Sequence, residues 1–316
     1  MLSYDFDPEL APFVPRLAPL DYTDPPAARV ALRVVMDRQP PYERSHRVLV
    51  EDVVAPGPRG APDVAVRLFR PRPTDWPGPR PALLFPHWGA FVTGDLDTSR
   101  TAAARIADLV GAVVVCPDYR LAPEHPFPAA LDDCWAVLEW TVGTAGELGV
   151  DVDRIGVAGF SAGGGLAVGL ALLARDRGWP AIAFQYLLFP QLDDRLESPS
   201  AELFVDTPML DRSSLVMSWR HYLGGRHASG YAAPGRAEDL SGLPPTFVGA
   251  CEYDPLRDEA LDFGRRLIRA GVRTALVHYP GTFHGSIGLS QAAVSRRMID
   301  DQVDALRRGL GAGNGA

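Results

Sequence analysis

The chain has 316 residues, 47% hydrophobic and 22% charged, and a length of this order buries roughly three quarters of its unfolded surface, enough for one large α/β domain or two smaller ones. Its formal net charge of −8 argues against nucleic acid and anionic membrane surfaces as partners. All 31 basic residues are arginine, which excludes a lysine base or Schiff base.

Residues 1–45 are proline-rich, with one amphipathic helical stretch near 27–36, and do not read as part of a sheet. The opening run from Met1 to Pro8 is acidic and lacks the basic-then-apolar pattern of a signal peptide, so a cytoplasmic location is expected. Residues 48–54 and 64–69 read as two antiparallel strands joined by a Pro/Gly turn. A short buried strand follows at 82–85, and Asp97 or Thr98 is the expected cap of a helix running to 110. Next come a strand at 112–116, a helix at 129–148, a strand at 154–158, a small-residue helix at 165–174 and a strand at 181–189. This alternation predicts a mostly parallel sheet covered by helices on both faces.

Residues 191–240 break the rhythm with Gly, Pro and Ser clusters and read as an insertion over the sheet. The pattern resumes with a strand at 246–250, a helix at 257–270, a strand at 274–279, a helix at 290–308 and a frayed tail from Gly311. The longest apolar run, after Ser161, is too short to span a bilayer. Cys116, Cys134 and Cys251 lie far apart without metal-ligand spacing and are expected to be buried free thiols.

The run Gly159-Phe160-Ser161-Ala162-Gly163 falls between a strand and a helix. A serine on such a turn is held in a strained conformation with its hydroxyl exposed, and glycines on either side avoid Cβ collisions. The N–H of Ala162 then points to where an oxyanion would develop, assisted by the positive end of the helix. A serine nucleophile needs a base, and the base an orienting acid. Asp254 and His284 both follow predicted strands, where functional groups of open parallel sheets collect, and the order Ser, Asp, His is the α/β-hydrolase one. Asp258, expected in the first turn of a helix, and Glu252 are alternative acids. His278 lies inside a strand and reads as a packed or hydrogen-bonded histidine; His125 reads as fixing its loop.

The loop after the 82–85 strand, Pro86-His87-Trp88-Gly89-Ala90-Phe91, makes the likeness specific. The chain resembles the hormone-sensitive-lipase family of α/β hydrolases, the bacterial type IV carboxylesterases. The likeness spans roughly residues 45–310 and includes the serine turn, the run from Asp254 to Glu259, His284-Gly285, and the long segment from Asp118 to Ala130. It implies an α/β-hydrolase core at 46–190 and 241–316, with a helical cap from 1–45 and 191–240. It also implies oxyanion donors at the N–H groups of Trp88, Gly89 and Ala162, supported by His87, Gly159 and Gly163.

Two positions depart from the family. Its His-Gly-Gly-Gly loop is His87-Trp88-Gly89-Ala90 here, and a positive φ at Trp88 or Ala90 would cost about one to a few kcal/mol. Phe160 stands where the family more often has Asp or Thr, and is expected to pack beside the serine turn. The activity implied is a serine carboxylesterase working through an acyl-enzyme, with Trp88 restricting it to short acyl chains. Trp219, Tyr222 and Phe204 are expected either to line the entrance or to pack within the cap. Alternatives are a lactone or amide hydrolase, an acyltransferase, or a non-catalytic ligand-binding module. The expected partner is a small-molecule ester, with no metal, organic cofactor, nucleic acid or membrane insertion, and the resemblance allows a homodimer through an edge strand.

Overall fold

Eight strands form a single sheet, and the computed structural model describes it within residues 4–72 and 78–312. A 3-10 turn at Ala11–Arg16 and helix α1 (Pro25–Asp37) precede it. The strands are β1 (Val48–Ala55), β2 (Val64–Pro71), β3 (Arg80–Leu84), β4 (Val113–Pro117), β5 (Val150–Phe160), β6 (Phe184–Leu188), β7 (Thr246–Tyr253) and β8 (Thr274–Phe283). Their spatial order is β1-β2-β4-β3-β5-β6-β7-β8. Only β2 runs antiparallel to its neighbours; every other pairing is parallel. This is the α/β-hydrolase fold.

Helix α2 (Arg100–Val110) follows β3, and α3 (Ala129–Gly143) with the short α4 (Ala145–Leu148) follows β4. Helix α5 (Ser161–Arg177) follows β5 directly, α6 (Pro199–Leu203) and α7 (Arg212–Leu223) follow β6, α8 (Arg257–Arg269) follows β7, and α9 (Ala293–Gly309) comes last. Strands β4 and β6 are buried along their whole length, which is why they read as continuous apolar runs rather than alternating ones. One apolar layer packs Leu131, Leu166, Leu170 and Phe263, from α3, α5 and α8, against one face. The other packs Ile106, Val110, Met298 and Leu306, from α2 and α9, against the opposite face.

Several expectations need correction. The helix expected at 129–148 is two helices, because Thr144 leaves helical geometry after Gly143 and its hydroxyl donates to the Trp140 carbonyl. Neither Asp97 nor Thr98 caps α2: the Thr98 hydroxyl accepts the Asp95 N–H at 2.9 Å, and Ser99 occupies the cap position without a side-chain bond. His278 is exposed on edge strand β8, not packed. The three cysteines are free and buried, as expected. The frayed tail falls largely outside the described residues, as do residues 1–3 of the opening run and the connection at 73–77. Among the described residues no helix is long and apolar enough to cross a membrane.

Candidate active site

Strand register brings the distant residues together. The β7–β8 ladder ends on the pair Tyr253↔Phe283, so Asp254 and His284 leave their strands side by side. Just before this pair the register shifts, and Glu252 accepts the Gly281 N–H at 2.6 Å, which clamps the extra residues of β8. Glu252 is thereby committed to the backbone. Asp258 is committed too, accepting the Ser200 N–H and pairing with Arg257. Ser161 sits at the β5–α5 junction, and all three groups therefore stand at the carboxyl ends of parallel strands.

The Asp254 carboxylate is fully buried. Its Oδ1 accepts the Leu256 N–H at 2.9 Å, and its Oδ2 lies 2.8 Å from His284 Nδ1. A carboxylate only accepts, so Nδ1 carries the hydrogen and Nε2 presents a lone pair. That Nε2 lies 3.1 Å from Ser161 Oγ. Ser161 itself has φ 52°, a left-handed conformation that costs a non-glycine residue about 1–3 kcal/mol and marks functional turns. Gly159 and Gly163 make this turn possible. A Cβ on Gly159 would lie 2.1 Å from the Gly163 carbonyl, and one on Gly163 would lie 2.2 Å from the Pro86 carbonyl oxygen. The serine turn and the loop after β3 are thus in backbone contact.

That loop aims its amides through two pinned carbonyls. The Tyr119 hydroxyl donates to the His87 carbonyl at 2.8 Å, and His87 Nδ1 donates to the Trp88 carbonyl at 2.9 Å. In a trans peptide the C=O and the next N–H point in opposite directions, so the N–H groups of Trp88 and Gly89 face away from those anchors. Neither donates to a protein acceptor among the described residues. Ala162, in the first turn of α5, has an N–H with no partner inside the helix. His87 is buried and stacked on Tyr119 at 4.1 Å. Burial lowers its pKa to about 4, which keeps the ring neutral with a single hydrogen to give. Gly89 takes φ 134°, and the strain falls on Ala90 (56°) and Phe91 (62°); Trp88 keeps a negative φ.

Two cavities meet at the serine. One, of about 220 Å³, reaches toward Phe160, Phe189, Ile287 and α2; the other, of about 100 Å³, reaches toward Leu17, Leu20, Tyr22 and Leu210. Val35, Trp88, Ser161, Met209 and His284 line both. Phe160 packs edge-on against Phe85 at 5.3 Å, beside the serine turn as expected. Trp219, Tyr222 and Phe204 are buried and line neither cavity. Tyr222 stacks on Phe91 at 3.8 Å, and Phe204 packs against Tyr4 and Tyr253. The walls come instead from Val35 of α1 and from Met209, which sequence reading missed. Met209 holds φ 66°, with its N–H bonded to the Leu17 carbonyl at 3.0 Å; no local pattern announces such a residue. Among the described residues, no cluster of His, Cys, Asp and Glu could hold a metal ion.

The sheet, the serine turn and the neighbouring imidazole and carboxylate define an α/β hydrolase. A family model described as the alpha/beta hydrolase fold matches residues 83–288. The chain is 37% identical over 98% of its length, and 95% of the relative's, to the carboxylesterase NlhH of Mycobacterium tuberculosis. Among solved structures it is similar to a bacterial heroin esterase, with TM-score 0.92, 42% identity and coverage of 97% of this chain and 98% of that one. It is also similar to esterase LipW of Mycobacterium marinum, with TM-score 0.87, 38% identity and coverage of 96% of each chain. The chain belongs to the hormone-sensitive-lipase family of α/β hydrolases, and it is an ester-hydrolysing enzyme.

Proposed function

We propose that the protein is a serine carboxylesterase for esters with short acyl chains, working through an acyl-enzyme. His284 takes the Ser161 proton through Nε2 as Oγ attacks the ester carbonyl carbon, and then gives that proton to the departing alkoxide. Water repeats the sequence to release the acid. Asp254 fixes the imidazole tautomer and stabilises the imidazolium. The developing oxyanion rests on the N–H groups of Trp88, Gly89 and Ala162, which are left without protein acceptors among the described residues and cost no reorganisation at the moment of reaction.

The observation that carries this reading is the continuous chain from Asp254 Oδ2 to His284 at 2.8 Å and from His284 to Ser161 Oγ at 3.1 Å, opening where two cavities join. An ester has two arms, and each cavity takes one. Both spaces, about 220 Å³ and about 100 Å³, fall below the roughly 300–1,000 Å³ of a site for a drug-sized ligand, which supports short chains. Buried free thiols support a reducing, cytoplasmic setting.

The test is labelling with a fluorophosphonate together with turnover of a nitrophenyl ester series from acetate to laurate. Covalent labelling and a maximum at short acyl groups are expected, both abolished in Ser161→Ala. Undiminished turnover by Ser161→Ala refutes the serine mechanism, and a maximum at laurate refutes the short-chain preference.

A further inference from the structure

The larger cavity beside Ser161 carries a cation with no counter-ion among the described residues. Its wall is largely apolar, and Arg105 is the only permanently charged side chain among the residues that form it. Helical spacing explains the placement. Thr101 and Arg105 are four apart on α2 and turn one polar stripe toward the cavity.

The carboxylates around Arg105 are engaged elsewhere. Asp108, one turn further along α2, is held by Arg44 at 3.1 Å, Arg47 at 3.3 Å and the Tyr42 hydroxyl at 2.6 Å. Asp301 accepts from the Tyr279 hydroxyl at 2.9 Å and faces Arg297. What remains for Arg105 is a neutral amide: Nη2 donates to Gln302 Oε1 at 3.4 Å, and Nε is buried without a hydrogen-bond partner among the described residues. The Thr101 hydroxyl is buried without a partner as well. Desolvation pulls the Arg105 pKa below its ordinary value. A half-buried guanidinium without an anion beside it is costly to the fold, and its planar fork of donors matches a carboxylate.

We propose that Arg105 is a specificity-determining residue that holds a carboxylate carried by the substrate, so that the preferred substrates are esters bearing a free acid group. The acid sits on either arm of such an ester: on the acyl side in half-esters of dicarboxylic acids, on the alcohol side in acyl esters of hydroxy acids. Bound there, the carboxylate takes the donors of the Arg105 guanidinium, while the ester carbonyl lies at Ser161. This assignment rests on the esterase reading of Ser161.

The experiment compares two matched pairs by pH-stat: monomethyl against dimethyl glutarate, and 3-acetoxypropanoate against its methyl ester. The wild-type enzyme is expected to favour the acid over its neutral partner in kcat/KM in one pair, and the favoured pair identifies the arm. Arg105→Gln is expected to lower that preference by about tenfold to a hundredfold, the difference in strength between a charged hydrogen bond and none, chiefly through KM. Arg105→Lys is expected to recover part of it. A wild-type preference for the neutral ester in both pairs overturns the assignment whether or not the variants fold, and so does a ratio unmoved by Arg105→Gln. In those cases turnover of the neutral esters leaves the esterase reading standing. Failure to turn over any of the four esters sinks both.

Discussion

Replacing Asp254 with asparagine tests the arrangement at its most constrained point. The Leu256 N–H, 2.9 Å from Oδ1, requires an acceptor there. An asparagine must therefore give its carbonyl oxygen to Leu256 and turn its NH₂ toward His284. Two N–H donors cannot share the 2.8 Å gap that Oδ2 now spans, so the imidazole moves its hydrogen from Nδ1 to Nε2. Nε2 then faces Ser161 Oγ across 3.1 Å as a donor, with no lone pair to receive the serine proton. The analogous exchange in a serine protease costs about 10⁴ in kcat, which corresponds to about 5.5 kcal/mol of barrier. Asp254→Asn is therefore expected to lose about four orders of magnitude in kcat on a neutral nitrophenyl ester while unfolding near the wild-type temperature. Asp254→Ala leaves the Leu256 N–H and the imidazole unpaired in a fully buried site, and is expected to lose about 1–3 kcal/mol of stability for each as well. Stopped-flow turnover and thermal melts check both. An Asp254→Asn enzyme keeping more than about a tenth of the wild-type kcat refutes the tautomer argument.

Two further outcomes follow from the loop after β3. The folded His87 ring stays neutral down to about 4, against an ordinary value of 6.5, so between these pH values the unfolded chain binds a proton that the folded one refuses. Stability is therefore expected to fall as pH drops through that window, by up to about 3 kcal/mol, and urea titrations should find a flatter profile in His87→Gln. Gly163→Ala sets a methyl 2.2 Å from the Pro86 oxygen and 2.9 Å from the His87 oxygen. A retreat of the loop by about 1 Å is expected to lower kcat about a hundredfold, and an unchanged kcat would mean that the loop donates nothing to the reaction.

Much of this was legible in the chain because burial on both faces of a parallel sheet leaves unbroken apolar runs, as in β4 and β6. The serine turn was legible for a steric reason, since only glycine fits where Gly163 meets Pro86. The positions of Asp254 and His284 needed only the rule that strand ends gather in one place. What was hidden depends on which way a side chain faces across a tertiary contact. Trp219 and Tyr222 turn inward because Phe91, bent back at φ 62°, offers one ring for both to pack on. Met209 reaches the cavities only because Leu17, far off in sequence, fixes its backbone. Arg105 looks like any other arginine on an amphipathic helix until Asp108 is seen to be occupied by Arg44 and Arg47.

The anchoring of the Trp88 and Gly89 amides through carbonyls has a consequence for how this enzyme can vary. Their direction is set by Tyr119 and the His87 ring, not by glycine freedom at position 88, so the side chain there is released from any duty in holding the amides. An indole can occupy that place and serve as a shared partition between the two chambers. Change at one residue can therefore redraw which molecules fit, while the reactive apparatus behind it stays put.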